Sequence, residues 1–330
     1  MATELTVRTV NDDAVWDAFN ADSPQGSVFT SASWVKAACD AQGASPCFLG
    51  VFDRDRLSSA LSYAEIVRGP FRKASTPVLT PYGGLLYRPV PGKRQSESDG
   101  YNLSCAELLA DRLTGRYGHT MLVHHPAMTD IRAFSWTGWK DSVRYTYRID
   151  ITDADQVWDL MERRVRTVIR RAEESLELGG PVDTGQFIDL YTRIYRDRGG
   201  TPPVATAIVR ALFERVMAMP GADMRSVRDG DGKVVSTMIL LSDRRAVHSW
   251  LSGSLPGENG SGAFSLLFWD AVRRYSGRCT HLDMIGANLE SIAFFKKGFG
   301  GLLTPYYVTE RYASSFTRML FGLYTRMTRG

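Results

Sequence analysis

The sequence has little of what marks several classes of protein. It contains only four cysteines, with no Cys-x-x-Cys pair and no Cys/His spacing of the kind that holds zinc. We therefore expect neither a disulfide framework nor a metal site. His124 and His125 stand together without a serine or cysteine elbow, and no Gly-x-Ser-x-Gly motif or Walker loop occurs. The cysteines are Cys39, Cys47, Cys105 and Cys279.

Long apolar runs are also missing. No run reaches the ~20 residues that cross a bilayer. The N-terminal segment MATELTVRTVNDD is polar and acidic, where a signal peptide is basic and then apolar. We therefore expect the protein to be made and kept in the cytoplasm. With 330 residues, 44% of them hydrophobic, the chain is long enough for two cores, and its net charge of +4 permits a polyanionic partner.

A segment near the C-terminus combines strand, turn and helix. Residues 280–285 alternate as a short strand and lead through a turn into a helix. Asn288 is the expected N-cap of that helix, and Gly298 suits the left-handed position that ends one. Phe295 and Phe299 share a helix face. In α/β proteins, ligand sites often lie where the carboxyl end of a strand leads into a helix.

The segment before it predicts another strand, a glycine-rich loop and an apolar helix. Residues 245–252 form the strand, residues 253–262 (GSLPGENGSG) the loop and residues 263–275 the helix. The outward backbone N–H groups at such a helix start favour a negative group or a polarised carbonyl.

This order of elements resembles the second half of the GNAT N-acyltransferase fold, in which the loop holds a pantetheine pyrophosphate. Residues 257–262 (GENGSG) are similar to that family's Gln/Arg-x-x-Gly-x-Gly/Ala loop, except that glycine replaces its first residue. The resemblance implies that Gly260 and Gly262 contact substrate. Residues 295–300 (FKKGFG) resemble the FK-x-GFG signature of the FemABX branch of the superfamily.

Other segments agree with FemABX proteins, and the resemblance runs from about Phe29 to Tyr312. It implies an α/β (α+β) fold of two tandem GNAT-like acyltransferase domains with mixed sheets. It also implies transfer of an amino acid from aminoacyl-tRNA to an amine of a peptidoglycan precursor or peptide-like metabolite, without a bound cofactor. The segments are residues 29–36 (FTSASWVK), 80–84 (TPYGG), 163–172 (RRVRTVIRRA) and 195–202 (YRDRGGTP).

We place the domain boundary near Arg144. Residues 1–143 are predicted to form an N-terminal GNAT-like domain, and residues 144–311 a C-terminal one that contains the FKxGFG segment. Residues 312–330 are predicted to form an amphipathic helix that packs on the first domain, since an apolar stripe runs along them. A stripe of this kind also suits peripheral membrane contact, which stays an alternative.

Local patterns predict the elements of each domain. In the first domain we predict strands at 47–52, 59–66, 84–87 and 120–124, helices at 33–41 and 106–114, and a mobile surface loop at 89–100. In the second we predict a strand at 145–151, a long basic helix at 157–176 capped by Thr152 or Asp153 and stopped by Gly179-Gly180, helices at 184–197 and 205–219, and strands at 224–228, 234–241 and 246–251.

The resemblance assigns the reacting centre to Lys296 and Phe295. The Lys296 ammonium would stabilise the oxyanion or the departing ribose oxygen, and the alternative is an ordinary surface lysine. The superfamily's usual general acid, a tyrosine four residues before the motif glycine, falls at Phe294, which cannot donate a proton. This disfavours CoA chemistry. Asp283 is either a base at the strand end or a structural cap or ion-pair partner, and we name no general base.

Four further residues are candidates for substrate binding. Lys36 and Arg198 match family positions that contact an acceptor diphosphate, although each suits a rim charge equally well. Tyr82 and Trp250 are expected to form pocket walls, or else to belong to the core.

The basic helix is the candidate tRNA contact. Its arginines lie off an apolar stripe, and the alternative is a solvated face paired with Asp159, Glu162 and Glu173. The candidates are Arg163, Arg164, Arg166, Arg170 and Arg171. Two other functions stay open. They are an acyl-CoA-dependent N-acyltransferase and a non-catalytic scaffold of a polysaccharide or cell-envelope system. In the main hypothesis the acceptor is a small-molecule or lipid-linked amine.

Overall fold

The structure is a computed structural model of the chain, and it describes residues 4–69, 71–89, 94–196, 199–255 and 261–319. The described chain divides into two compact units. The first contains the residues up to Arg144 together with those from Pro305 onward, and the second is Tyr145–Thr304. The end of the chain is therefore grouped with its beginning.

The first unit is a mixed sheet with helices. Its elements are β1 (Leu5–Thr9), α1 (Asp13–Asp22), α2 (Ala32–Ala41), β2 (Ser45–Asp53), β3 (Arg56–Arg68), β4 (Phe71–Ser75), β5 (Gly84–Tyr87), α3 (Gln95–Thr114), β6 (His119–Val123), α4 (Arg132–Ser135), the start of β7 (Lys140–Asp150) and the end of β13 (Leu302–Tyr312). The sheet order is β1-β2-β3-β4-β6-β13, with β4 and β6 parallel and the other neighbours antiparallel. Leu109 and Leu113 of α3 pack on Leu61 and Leu122 of the sheet.

The second unit is also a mixed sheet, with helices on both faces. Its elements after β7 are α5 (Ala154–Leu160), α6 (Arg163–Ser175), β8 (Glu177–Gly179), α7 (Thr184–Arg196), α8 (Thr206–Val216), β9 (Ala222–Arg228), β10 (Val234–Ser242), β11 (Ala246–Ser254), α9 (Ala263–Tyr275), β12 (His281–Asp283) and α10 (Glu290–Lys297). The order is β8-β9-β10-β11-β12-β7, and only β11 and β12 are parallel.

Helices α9 and α7 explain how this second sheet is covered. Leu267 and Phe268 of α9 pack against Met238 and Val247 of the strands. Gly253 of β11 allows α7 to approach closely, because an added Cβ would lie 2.7 Å from Leu190 Cβ. Gly253 therefore lets α7 lie close to β11, while apolar strand residues share a core with α9.

Both units contain the same order of elements. In the first, β1, α1, α2, β2, β3, β4, α3, β6, α4 and β7 follow one another, with β5 as an addition. In the second, β8, α7, α8, β9, β10, β11, α9, β12, α10 and β13 do so. The two final strands are exchanged, because β13 pairs with β6 in the first unit and β7 with β12 in the second. A repeated unit of this kind agrees with the predicted tandem architecture.

The predicted long basic helix at 157–176 is wrong in its extent. The structure has two helices, α5 and α6, with Met161 and Glu162 extended between them. Met161 is buried in the core, and Glu162 N donates to Gly298 O at 2.9 Å, so tertiary contacts break the helix. Asp153 caps α5 as predicted, but α6 ends at Ser175, and Gly179 belongs to β8.

Two other predicted boundaries are wrong. Residues 95–100 of the predicted loop at 89–100 belong to α3, and residues 90–93 lie outside the described ranges. The helix predicted at 312–330 cannot begin at Tyr312, because Tyr312 pairs with His119 as the last residue of β13. Residues 315–319 are helical, and residues 320–330 lie outside the described chain. No helix within the described ranges is long and apolar enough to cross a membrane.

Candidate active site

Strand β12 has only three residues, and it pairs with the start of β11. The two segments separate where β12 ends, which leaves a gap beside β11. The parallel pairing joins Ala246–His248 to His281–Asp283, while β11 continues to Ser254. After β12 the chain stays with β7 instead, since Met284 N donates to Tyr147 O at 3.0 Å. The carboxyl ends of adjacent parallel strands are where α/β proteins bind ligands. We therefore take this gap as the candidate site.

A β-bulge in β11 lies at the same place. Ile239 of β10 faces Leu251, and Leu240 faces Ser249, so Trp250 is the extra residue. Bulges bend a strand and are frequent beside active sites. Trp250 is 5% exposed, and its role as a pocket wall stays a prediction.

The side chain of Lys296 organises the turn that follows β12. Its Nζ donates to the carbonyl oxygens of Met284, Ile285 and Gly286 at 2.6, 2.5 and 2.6 Å. Burial lowers the pKa of Lys296 to about 8, although the charge of Asp283 opposes this shift. An ammonium has three donors, and all three are used here. The predicted role at the oxyanion stays a prediction. It requires the ammonium to break one of its three hydrogen bonds to backbone carbonyls, so that one donor can reach the oxyanion.

The turn itself has an unusual backbone. Ile285 has φ +47° and Gly286 has φ +72°, and a β-branched residue rarely adopts a left-handed conformation. The buried Asp283 carboxylate supports it by accepting from Ile285 N at 2.9 Å and from Thr146 Oγ1 at 2.7 Å. Asp283 therefore caps this turn, which is one of its predicted roles, and strain is held at the site as in many functional turns.

Two basic groups on neighbouring strands complete this polar cluster. Arg148 Nε lies 3.7 Å from Asp283 Oδ2, and the Arg148 guanidinium contacts His281 Nε2. Burial, followed by the Arg148 charge, lowers the pKa of His281 to about 4, against the opposing charge of Asp283. We did not single out Thr146 or Arg148 from the sequence. The signal was present, since they are alternate polar residues of the strand predicted at 145–151.

The His281 shift predicts a pH dependence of stability. Its pKa in the folded chain, about 4, is below its ordinary 6.5, so the unfolded chain binds more protons between these pH values. The free energy of unfolding should therefore fall as the pH falls from about 6.5 to 4. We expect His281→Gln to flatten this slope, as measured by urea unfolding at pH 7 and pH 5. An identical slope in the variant would contradict this.

Phe295 holds α10 against α9. Its ring centroid lies 5.8 Å from that of Phe264, 6.0 Å from Phe268 and 5.2 Å from Phe299. The side chain is half-buried in this aromatic cluster. Its predicted place at the reacting centre stays a prediction.

Helix α6 contacts the start of α9 and the end of α10 through two glycines. Gly262, the N-cap of α9, has φ +81°, and an added Cβ would lie 2.7 Å from Val168 Cγ1. A Cβ on Gly298 would lie 2.6 Å from Val165 Cγ2. Helix α6 therefore lies beside both helices that adjoin the gap. Gly260 is outside the described residues.

Two local predictions for α10 are wrong. Gly298 has φ −63°, in the right-handed region, and the left-handed residue is Gly300, with φ +79°. The helix also starts at Leu289 as its N-cap, because Asn288 Oδ1 instead accepts from Tyr145 N at 2.9 Å. Gly298 is required for close packing, and Asn288 ties the turn to β7.

The five candidate tRNA-binding arginines fall into two groups. Arg164 pairs with Glu162, and Arg166 lies 3.9 Å from Asp159. The rest are exposed and form no ion pair with a carboxylate of the described residues. They are Arg163, Arg170 and Arg171. The alternative of a paired, solvated face therefore holds for only part of the helix.

The remaining candidates belong to the first unit or lie outside the description. Lys36 of α2 is half-exposed and contacts the Asp13 carboxylate. Tyr82 is 1% exposed and packs on Tyr306 with 5.2 Å between ring centroids, which is the core alternative. Arg198 is outside the described residues. The structure thus brings Lys296, Phe295, Trp250 and Gly262 into one unit and places Lys36 and Tyr82 in the other.

Comparison with known proteins identifies the fold. The sequence profile of the acetyltransferase (GNAT) domain matches residues 144–297. The crystal structure of FemX is 11% identical over 92% of this chain and 96% of its own, with a TM-score of 0.69. A tandem GNAT protein from the clavulanic acid biosynthesis pathway is 13% identical over 94% and 99%, with a TM-score of 0.53. L-PGS from Bacillus licheniformis is 12% identical over 94% and 95%, with a TM-score of 0.53.

None of the curated protein sequences compared with the chain matches it. At these identities the structural likeness concerns the fold, and it confirms the predicted fold class of tandem GNAT-like α/β domains. The chain carries an acetyltransferase (GNAT) domain in residues 144–297, within a fold that is similar to that of FemX.

Proposed function

We propose that this acyltransferase moves an aminoacyl group from aminoacyl-tRNA to an amine of a peptidoglycan precursor or a peptide-like metabolite. The observation that carries the choice of donor is the position of α6. It presents Arg163, Arg170 and Arg171 without carboxylate partners in the described chain, and it lies against the start of α9 and the end of α10. Arginines without carboxylate partners suit the phosphates of a nucleic acid.

The gap between β11 and the turn after β12 suits the reacting ester. The amine nitrogen attacks the ester carbonyl, and the bond between the carbonyl carbon and the ribose oxygen breaks. The amine loses a proton as the amide forms, and the ribose oxygen gains one to leave as a hydroxyl. Charge that develops on the carbonyl oxygen needs donors held in place beforehand. The backbone N–H groups at the start of α9 and the Lys296 ammonium are the candidates for this role.

The residue at position 294 favours an ester donor over a thioester. Phe294 stands where the superfamily has its proton-donating tyrosine, and its ring is 63% exposed. In an aminoacyl ester the neighbouring ribose hydroxyl adjoins the leaving oxygen and can supply a proton. A CoA thioester has no such group beside its sulfur. Transfer from aminoacyl-tRNA therefore has less need of a side-chain acid at position 294 than transfer from a CoA thioester.

A single-turnover assay with labelled charged tRNAs and acyl-CoAs tests the proposal. We expect transfer from a charged tRNA and tRNA binding that weakens steeply with salt. Replacing Arg163, Arg170 and Arg171 by glutamine should reduce the slope of log K against log salt by about 2. The matched control replaces three exposed arginines of α7 and α8, Arg193, Arg210 and Arg215. Equal effects of the two triple variants would count against α6 as the contact.

An acyl-CoA-dependent N-acyltransferase is the second candidate. It is favoured by the matched domain, which is an acetyltransferase (GNAT) domain. Thermal stabilisation by CoA, together with none by charged tRNA, would select it.

A further inference from the structure

Phe294 is an exposed aromatic residue held next to an arginine. Its side chain is 63% exposed, although it lies between residues that pack into the second unit. The Arg164 guanidinium carbon is 4.2 Å from the ring centroid, and Arg164 Nη2 donates to Phe294 O at 3.0 Å. The two side chains therefore form one surface element shared by α6 and α10.

Several contacts fix Arg164 in this position. Its Nε donates to Glu162 Oε2 at 2.5 Å, and Glu162 N in turn donates to Gly298 O at 2.9 Å. Gly298 leaves room for the guanidinium, since an added Cβ would lie 2.9 Å from Arg164 Nη2. An exposed arginine normally samples many rotamers. This one is already ordered before a ligand binds, which reduces the cost of binding.

Packing does not account for Phe294. Phe295 of α10 and Phe299, just after the helix, supply the aromatic contacts to α9. An exposed phenylalanine contributes little to the core, and an isolated one needs no explanation. The ordered guanidinium over the Phe294 ring does need an explanation. Proteins stack unpaired bases on aromatic rings and on arginine guanidinium planes, and here the two lie together.

The surrounding charge suits a polyanion. Arg163 has no carboxylate partner in the described residues, and Lys297 is exposed three positions after Phe294. Glu162 is neutralised by its pair with Arg164, while Glu290, one helical turn before Phe294, is the nearby acidic residue of α10. Cations thus outnumber carboxylates around the ring.

We propose that Phe294 and Arg164 form a stacking platform for the base of the donor's terminal nucleotide. This inference rests on the proposed function and specifies how the same site holds its donor. In aminoacyl-tRNA the acyl group is attached to the ribose of the terminal nucleotide, so a base must lie close to the reacting carbonyl. In a CoA thioester the pantetheine arm separates the two. Phe294 lies on α10, the helix that also carries Lys296, so a base stacked on Phe294 would lie on the helix of the proposed reacting centre.

Fluorescence anisotropy with two RNA hairpins tests the platform. Both carry a single-stranded 3′ end, and one has an abasic final nucleotide. We expect Phe294→Leu to weaken binding of the complete hairpin roughly 5- to 100-fold, the range for one lost base stack. Binding of the abasic hairpin and the salt slope should stay unchanged. Phe294→Trp should retain the affinity, and the unfolding free energy of Phe294→Leu should equal that of the wild type.

The matched control is the exposed pair in the first unit, where Trp136 is 65% exposed and Arg132 lies 5.3 Å from its ring centroid. Trp136→Leu should not change the affinity for either hairpin. Unchanged affinity in Phe294→Leu, or an equal loss with both hairpins, would overturn the platform and leave the tRNA donor standing. Failure of the wild type to bind either hairpin or charged tRNA would overturn the donor itself. Phe294-dependent binding of CoA in place of RNA would also do so.

Discussion

Replacing Lys296 by methionine is expected to lower both the stability of the second unit and the rate of acyl transfer. The substitution removes the partner of three carbonyl oxygens in a turn where Ile285 and Gly286 already have positive φ. Hydrogen bonds to a charged group contribute about 1.5–3 kcal/mol each, but the cost of burying the ammonium is also removed. We expect the free energy of unfolding to fall by about 2–4 kcal/mol in total.

Transfer should slow roughly 10²- to 10³-fold, the scale for a lost group at an oxyanion site. Lys297→Met is the matched control, since Lys297 is the next residue of α10 and is exposed. It should leave both quantities unchanged. Urea unfolding and single-turnover transfer measure the two effects separately. Slow transfer with wild-type stability would point to a direct role at the oxyanion, and wild-type transfer would exclude Lys296 from the mechanism.

Elements with a strong local pattern could be predicted from the sequence. The bounds of α9 and β5 are as predicted, since each combines a regular apolar pattern with a glycine at its start. Strand β13 could not be found in this way. Its partner β6 lies about 180 residues earlier, as in the pairing of Val308 with Val123. A strand pairing that forms only when distant segments meet leaves a weak local signal, and Pro305 weakens it further.

The elements predicted around the candidate site are present, but their local contacts differ from the prediction. The strand, turn and helix at 280–297 are present. Local capping rules assigned Asn288 and Gly298 to the helix ends, whereas tertiary contacts use Asn288 to bind β7 and Gly298 to admit α6. Lys296 was expected to face substrate, yet its donors meet carbonyls of the preceding turn. A sequence shows which hydrogen-bonding side chains are available, but not which nearby group in the folded chain each of them contacts.

Gly262→Ala is expected to have the second large effect. Gly262 has φ +81°, where a side chain costs about 1–2 kcal/mol. The added Cβ would also lie 2.7 Å from Val168 Cγ1 and 2.9 Å from Val168 O, so α6 must move away from the start of α9. We expect the free energy of unfolding to fall by about 3 kcal/mol or more, since backbone strain and overpacking add. Transfer should fall at least about tenfold, because a small misplacement of donor-binding groups is costly.

Gly277, just beyond the other end of α9, separates the two causes. It has φ +72°, and no atom lies within 4 Å of an added Cβ. Gly277→Ala therefore introduces the backbone strain without the contact to α6, and it should cost only about 1–2 kcal/mol with normal transfer. The difference between the two variants in urea unfolding measures the packing of α6 against α9. If both variants lose the same stability and keep the same activity, close contact with α6 does not position the start of α9, and the arginines of α6 lose their structural link to the site.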